Sequence, residues 1–232
     1  MPPIVPPVPP RLVTRLAAPP AAAGPDVEDA VSPARFATYL LYAQQVRSRA
    51  WAAYAWNARV SGALLQVLVH AEVALRNAVN RAMTAAFGAA WPYAQAFEIT
   101  LGTGRGEYNA ARGRLEQRLG RRPLSTGDFV AGQTMVFWEA LLVRRYKGRV
   151  WDRQFATAFP GAAAGETYRD VHDAVEPLRR VRNRIAHHEP LLAENVTDVY
   201  ARALAVTHWA SPAKAAWVAA EWPPLDDYNG PP

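Results

Sequence analysis

The chain has 232 residues, half of them hydrophobic and a fifth charged, which suits one folded domain with appendages and excludes a wholly disordered protein. It contains no cysteine, which excludes disulfide scaffolds, thiolate metal sites and cysteine nucleophiles. The net charge of +6 favours a polyanionic partner, although a composition rich in alanine, arginine and proline explains the excess equally well.

The N-terminal part is rich in proline, and residues 1–31 are predicted to form a flexible segment. Its prolines cannot form the continuous apolar helix of an export signal. No uninterrupted apolar stretch of about 18 residues predicts a membrane span. We therefore expect a cytoplasmic protein without membrane association. The alternative to a flexible leader is that residues 1–31 dock on a partner.

The first ordered element is predicted at Ser32, because an N-cap serine followed by Pro33 is a typical helix start. A long helix is then predicted over residues 50–87, with a break near Trp56 left open. A surface helix over residues 105–119 follows. All three assignments rest on apolar side chains at three-four spacing or on helix-end signals.

The second half also reads as helical. A strongly apolar helix, expected to be the most buried one, is predicted from its cap at Ser125 to Tyr146. After a looser connection, further helices are predicted over residues 166–187, 196–209 and 212–221. No period-two strand pattern occurs, so the prediction is an all-α bundle with one long antiparallel pair over residues 32–222, followed by a flexible tail over 223–232.

The densest run of functional side chains ends one of these helices. It comprises Arg179, Arg180, Arg182, Asn183, Arg184, His187, His188 and Glu189. Cations near a helix C-terminus are stabilised by the helix dipole by about 0.3–1 kcal/mol, so a purely structural role is one interpretation. A phosphate-handling site is the other.

Helix geometry constrains such a site. Asn183 and His187 are four residues apart and share a face, whereas Arg182 and His187 point about 140° apart on an ideal helix. Either the last turn deviates near His187, or two copies of the helix meet and share a cleft. The second arrangement predicts a symmetric dimer.

The spacing Arg182-Asn183-x-x-x-His187 resembles the R-x(4-6)-H motif of HEPN-domain ribonucleases. Other blocks, which together span about residues 32–210, resemble the abortive-infection (Abi-like) branch of that superfamily. These blocks are residues 32–40, 54–57, 72–77 and 137–142, with Tyr146 and Trp151.

The resemblance implies a HEPN-like helical bundle and a metal-independent endoribonuclease that acts in phage defence or as a toxin. In such an enzyme the ribose 2'-hydroxyl attacks the adjacent phosphate and leaves a cyclic phosphate. No cofactor is implied. The partners implied are RNA, a second copy completing a composite site, and an antitoxin or trigger protein.

The residue roles follow the motif. His187 would carry a proton, since histidine exchanges protons near neutral pH, and Arg182 would stabilise the charge of the pentavalent phosphorane. Asn183 would orient the imidazole or hold a phosphate oxygen, and His188 is the reserve acid or base.

Supporting roles are assigned more broadly. The resemblance places three residues of the long helix beside the motif helix, in a supporting role: Glu72, Arg76 and Asn77. The alternative is a structural role, in which Glu72 and Arg76 pair within their helix and the three side chains form a buried polar cluster. RNA-backbone contacts are proposed for Arg179, Arg180, Arg184, Arg144 and Arg145.

Two other functions remain open. One is a catalytically silent Abi-like module that binds RNA or protein, and the other is a helical adaptor whose proline-rich head recruits a partner. No metal site is predicted, because His70 with Glu72, His172 and His208 each lack a third ligand at suitable spacing.

Overall fold

The computed structural model describes residues 25–120, 122–224, 228, 230 and 231. Regular secondary structure is entirely helical in these residues, which confirms the all-α prediction. The proline-rich residues 1–24 and part of the predicted C-terminal tail lie outside the described residues. The α-helices are α1 (Pro25–Val31), α2 (Pro33–Tyr42), α3 (Arg47–Phe87), α4 (Gln95–Glu98), α5 (Arg105–Leu119), α6 (Thr126–Gly132), α7 (Met135–Glu139), α8 (Asp152–Ala158), α9 (Tyr168–Ala186), α10 (Val196–Ala210) and α11 (Pro212–Glu221).

The chain divides into two compact units. The described residues of the first unit are 25–58 and 231, and those of the second lie within 59–230. In the first unit the predicted start of α2 is confirmed, since the Ser32 hydroxyl accepts a hydrogen bond from the Arg35 backbone N–H at 3.3 Å. The preceding helix α1 was not predicted; a proline at its start and acidic residues in its first turn favour it.

Helix α3 is continuous over 41 residues and has no break near Trp56. Trp56 is fully buried within this continuous helix. The helix ends as predicted at Gly88, whose φ of 94° lies in the left-handed region that favours glycine. Its backbone N–H donates to the Thr84 carbonyl at 2.8 Å.

By length and composition alone, α3 also satisfies the criteria for a helix that crosses a membrane. Within its most apolar window, 39% of the residues are buried inside the protein. The core helix of a soluble protein passes the same test, so the observation is weak evidence for a membrane.

The single apolar helix predicted from Ser125 to Tyr146 is wrong. The cap at Ser125 is present, but α6 ends at Gly132 and the next two residues have extended ψ angles of 147° and 167° before α7 begins. A Cβ at Gly132 would lie 2.4 Å from a methyl carbon of Leu115. The close packing of α5 on this glycine accompanies the break, and local propensity could not reveal it.

Aromatic side chains on both sides of the break between α6 and α7 pack into the core of the second unit. Phe129 of α6 and Trp138 of α7 are both fully buried, with ring centroids 6.0 and 6.5 Å from that of Trp91. Val136 is 51% exposed, so burial is confined to one side of α7. The expectation of a deeply buried segment is confirmed for most of its apolar side chains, since Met135, Leu141, Leu142 and Tyr146 are also at most 3% exposed.

Helix α9 carries the motif and has the amphipathic pattern that the sequence predicts. Its start is fixed by a capping box between Thr167 and Asp170. The Asp170 carboxylate accepts hydrogen bonds from the backbone N–H and the hydroxyl of Thr167, and the Thr167 side chain accepts from the backbone N–H of Asp170. Its buried stripe packs against α7 and α10. The members of that stripe include Val171, Val175, Leu178 and Val181, each at most 1% exposed.

The loop before α9 approaches α10 closely at Gly161. Its backbone N–H donates to the Trp209 carbonyl at 3.0 Å, and a Cβ at this position would lie 2.1 Å from the carbonyl oxygen of His208. We expect Gly161→Ala to destabilise the protein by about 1–3 kcal/mol, measured by thermal unfolding, because α10 backbone would have to move. Gly148→Ala is the control, since a Cβ there meets nothing within 4 Å; equal melting of the two variants would contradict the prediction.

Candidate functional site

Arg182 is held by a carboxylate from another helix. Its Nε lies 3.6 Å from Oε2 of Glu72 on α3, and the two side chains are 38% and 22% exposed. Glu72 thus pairs across the helices, whereas the sequence left open a pair with Arg76 along α3. The contact fixes the guanidinium beside α3 and leaves part of it accessible.

His187 lies at the C-terminal end of α9, where its side chain is exposed. Its backbone N–H still donates to the Asn183 carbonyl at 3.0 Å, so the chain follows the helical path up to His187. The last turn therefore does not deviate before His187, and the divergence of about 140° between Arg182 and His187 persists. Within one chain the two side chains leave α9 in different directions.

The departure from the helix occurs one residue later. His188 has a φ of 56°, in the left-handed region that costs a non-glycine residue roughly 1–2 kcal/mol. The backbone N–H groups of His188 and Glu189 donate to the carbonyls of Ile185 and Arg184 at 3.0 and 2.8 Å, which closes the helix end. Residues in this conformation are concentrated at functional sites.

The other polar residues expected near the motif differ in exposure. Asn183 is partly exposed, one turn before His187 on the same face of α9. On α3, Asn77 is exposed, so the buried polar cluster considered as an alternative is wrong for this residue. Arg76 is partly buried, and its Nε is buried without a hydrogen-bond partner among the described residues.

Most of the neighbouring arginines brace the fold. Arg179 pairs with Glu139 of α7, and Arg180 Nη2 lies 3.9 Å from Glu194 Oε2. Arg184 Nε lies 3.7 Å from the other carboxylate oxygen of Glu194. Sequence reasoning missed both glutamates, because Glu139 lies 40 residues before Arg179 and Glu194 lies beyond the end of α9, where helical spacing predicts no contact.

Arg144 and Arg145 belong to a short turn that precedes α8. Arg145 donates from Nη1 to the backbone carbonyls of Thr100 and Leu101 at 2.9 and 2.7 Å. Both side chains are exposed, but the Arg145 guanidinium is engaged with these loop carbonyls. Of this pair, Arg144 has the geometry better suited to an RNA phosphate.

A second cluster on α3 and α11 was not singled out by the sequence. The His70 ring lies 5.3 Å from Trp217 and 4.6 Å from Trp222, centroid to centroid, and Lys214 Nζ donates to the His70 carbonyl at 3.1 Å. An open pocket of about 310 Å³ adjoins these rings, and its lining is Gly62, Leu65, Gln66, Val69, His70 and Trp222. The available sequence signal was that Lys214 is one of two lysines.

Burial governs the protonation of this cluster. It lowers the pKa of His70, with a smaller contribution in the same direction from Lys214. Burial also lowers the pKa of Lys214, with Arg76 adding to the effect. The imidazole therefore favours its neutral form, while the adjacent cations repel each other.

In the part of the chain that the structure describes, no group of three or more His, Asp or Glu side chains could hold a metal ion. Comparison of the chain with protein-family models, with curated proteins and with solved structures gives no match.

Proposed function

We propose that this chain is a metal-independent endoribonuclease of the HEPN type, in the Abi-like branch, that acts in the cytoplasm in phage defence or as a toxin. The observation that carries the proposal is the arrangement of the motif on α9. Arg182 is anchored by Glu72 at 3.6 Å, and Asn183 and His187 follow at the accessible end of the same helix. Phosphodiester cleavage through a cyclic phosphate needs proton transfer and stabilisation of negative charge, and these side chains can supply both.

The proposed reaction needs no group beyond the protein and the RNA. The ribose 2'-oxygen forms a bond to phosphorus and its proton passes to a base, while the bond to the 5'-oxygen breaks and that oxygen receives a proton. His187 moves these protons and Arg182 stabilises the phosphorane's extra negative charge. Asn183 orients the imidazole or a phosphate oxygen, and His188 is the reserve acid or base.

The divergence of Arg182 and His187 supports a composite site. Because one α9 cannot direct both side chains at one phosphate, each cleft takes Arg182 from one copy and His187 from the other. A two-fold symmetric homodimer satisfies this requirement with two identical clefts. An antitoxin or trigger protein would then act on the dimer.

A catalytically silent Abi-like module that binds RNA or protein is the second candidate. The ion pairs of Arg179, Arg180 and Arg184 favour it, because they account for three motif arginines as braces of the fold. The two candidates differ in whether purified protein cuts RNA.

The experiment is to incubate purified protein with mixed cellular RNA in the presence of EDTA. The proposed site predicts cleavage that EDTA does not diminish, because no step uses a metal ion. Cleavage abolished by EDTA would contradict the proposal. Intact RNA with and without added magnesium would favour the silent module.

Glu72→Gln tests the anchor of Arg182. We expect RNA cleavage to fall about tenfold, since the freed guanidinium samples unproductive positions. Stability should change by no more than about 1 kcal/mol, because the pair is partly exposed. The control is Glu116→Gln, which breaks an exposed ion pair with Arg112 on α5; equal cleavage by both variants would remove Glu72 from the site.

A further inference from the structure

An apolar face lies beside the proposed cleavage site. Leu65 and Val69 of α3 and Trp217 of α11 are 41%, 49% and 48% exposed, and the His70 and Trp222 rings connect them. Together with Arg76 and Lys214, we call these residues the Trp217 face. Contiguous exposed apolar surface of this kind marks an interaction site.

The two cations of the face are Lys214 and Arg76, and no described carboxylate pairs with either of them. Among the described residues, Lys214 donates to a backbone carbonyl and pairs with no carboxylate, and the buried Nε of Arg76 has no hydrogen-bond partner. The Lys214 charge therefore favours an anion, and the partly exposed Arg76 side chain adds positive charge beside it. Lys147, the other lysine, differs because it pairs with Asp152 at 2.7 Å.

We propose that the Trp217 face binds single-stranded RNA, whose bases stack on the exposed indole while Lys214 and Arg76 hold its phosphates. Exposed aromatic rings beside unpaired cations are the combination by which proteins bind single strands. A protein partner covering only the apolar side chains would leave both cations unmatched, so charge complementarity favours the polyanion.

This inference rests on the proposed function and extends it to substrate binding. Val69 precedes Glu72 by three residues, about 4.5 Å along α3, and Arg76 follows Glu72 by about 6 Å. A strand lying on the Trp217 face would therefore pass beside the Arg182–Glu72 pair. The face would hold unpaired RNA next to the cleavage site and select against duplexes, whose bases are already stacked.

The test measures binding without cleavage. The probe is a fluorescein-labelled, 2'-O-methylated RNA of about ten nucleotides, within the usual site size, which lacks the attacking hydroxyl. Fluorescence anisotropy is recorded for the full chain, and for Trp217→Ala, Trp217→Phe, Lys214→Ala and the control Lys147→Ala.

We expect Trp217→Ala to weaken binding about 5- to 100-fold and Trp217→Phe to retain most of the affinity. Lys214→Ala should reduce the slope of log affinity against log salt by about 0.7, the value for one phosphate of a single strand. Lys147→Ala removes the same formal charge and should leave the slope unchanged.

The proposal is overturned if Trp217→Ala binds the probe as tightly as the unmodified chain. Light scattering on the same variant identifies the alternative: loss of a dimer with unchanged RNA affinity would make the face a protein interface. Binding and cleavage separate the two proposals. If the wild-type chain cleaves RNA but Trp217→Ala does not weaken probe binding, only RNA binding by the Trp217 face is contradicted. Probe binding that depends on Trp217, with no cleavage of unmodified RNA, defeats only the proposed ribonuclease.

Discussion

His187→Ala is expected to lower the rate of RNA cleavage by at least about 100-fold, because proton transfer by a positioned side chain contributes that much and His188 has left the helical path. Arg182→Ala should have an effect of similar size, since removing one group that stabilises transition-state charge costs about 100- to 1,000-fold. Single-turnover rates on one RNA measure both losses. His187 is exposed and Arg182 is partly exposed, so both variants should fold, as circular dichroism would verify.

Matched controls come from the same parts of the fold. His172→Ala removes a histidine of α9 that contacts Asp173 at 3.0 Å, and Arg202→Ala breaks an ion pair with Asp198 on α10. Neither should change the cleavage rate by more than about twofold. Comparable losses in the controls and in the motif variants would show that general perturbation, not chemistry, is being measured.

Mixing the two inactive variants should restore activity. In a composite site, a heterodimer of Arg182→Ala and His187→Ala has one cleft with both native residues and one with neither. Random exchange makes half of the dimers heterodimers, so about one quarter of the wild-type activity should return. The measurement is the cleavage rate of an equimolar mixture after subunit exchange.

A site complete within one chain predicts no recovery in that mixture, because every copy lacks one of the two residues. Each variant alone at the combined concentration is the control for residual activity. Absence of recovery, with light scattering showing that mixed dimers had formed, would remove the composite arrangement while leaving His187 as the proton carrier.

Local signals predicted much of the fold. The start of α2 follows from the side chain of Ser32 and the ring of Pro33, and the end of α3 follows from Gly88, because caps and glycines act within one turn. The division between α6 and α7 was not predictable in this way. It coincides with the packing of Leu115 against Gly132, two residues that are 17 positions apart in the sequence.

For the candidate site, too, the sequence predicted local features but not contacts between helices. The sequence places Arg182 and His187 on one helix and indicates their divergence, which are consequences of helical periodicity. The resemblance placed Glu72 beside the motif helix, but its pairing with Arg182 was not predicted. The Trp217 face could not be predicted either, because it requires knowing that α11 lies beside α3. The left-handed backbone at His188 was also hidden, since glycine is its usual sequence signal.

The chemistry of the product ends distinguishes attack by the ribose 2'-hydroxyl from attack by water. After cleavage of one defined RNA in EDTA, we expect a cyclic phosphate on the upstream fragment and a free 5'-hydroxyl on the downstream fragment. A single 2'-deoxy nucleotide at the cut position should abolish that cut. Fragments with a 3'-hydroxyl and a 5'-phosphate, or undiminished cleavage at the deoxy position, would contradict attack by the ribose hydroxyl and with it the roles assigned to His187 and Arg182.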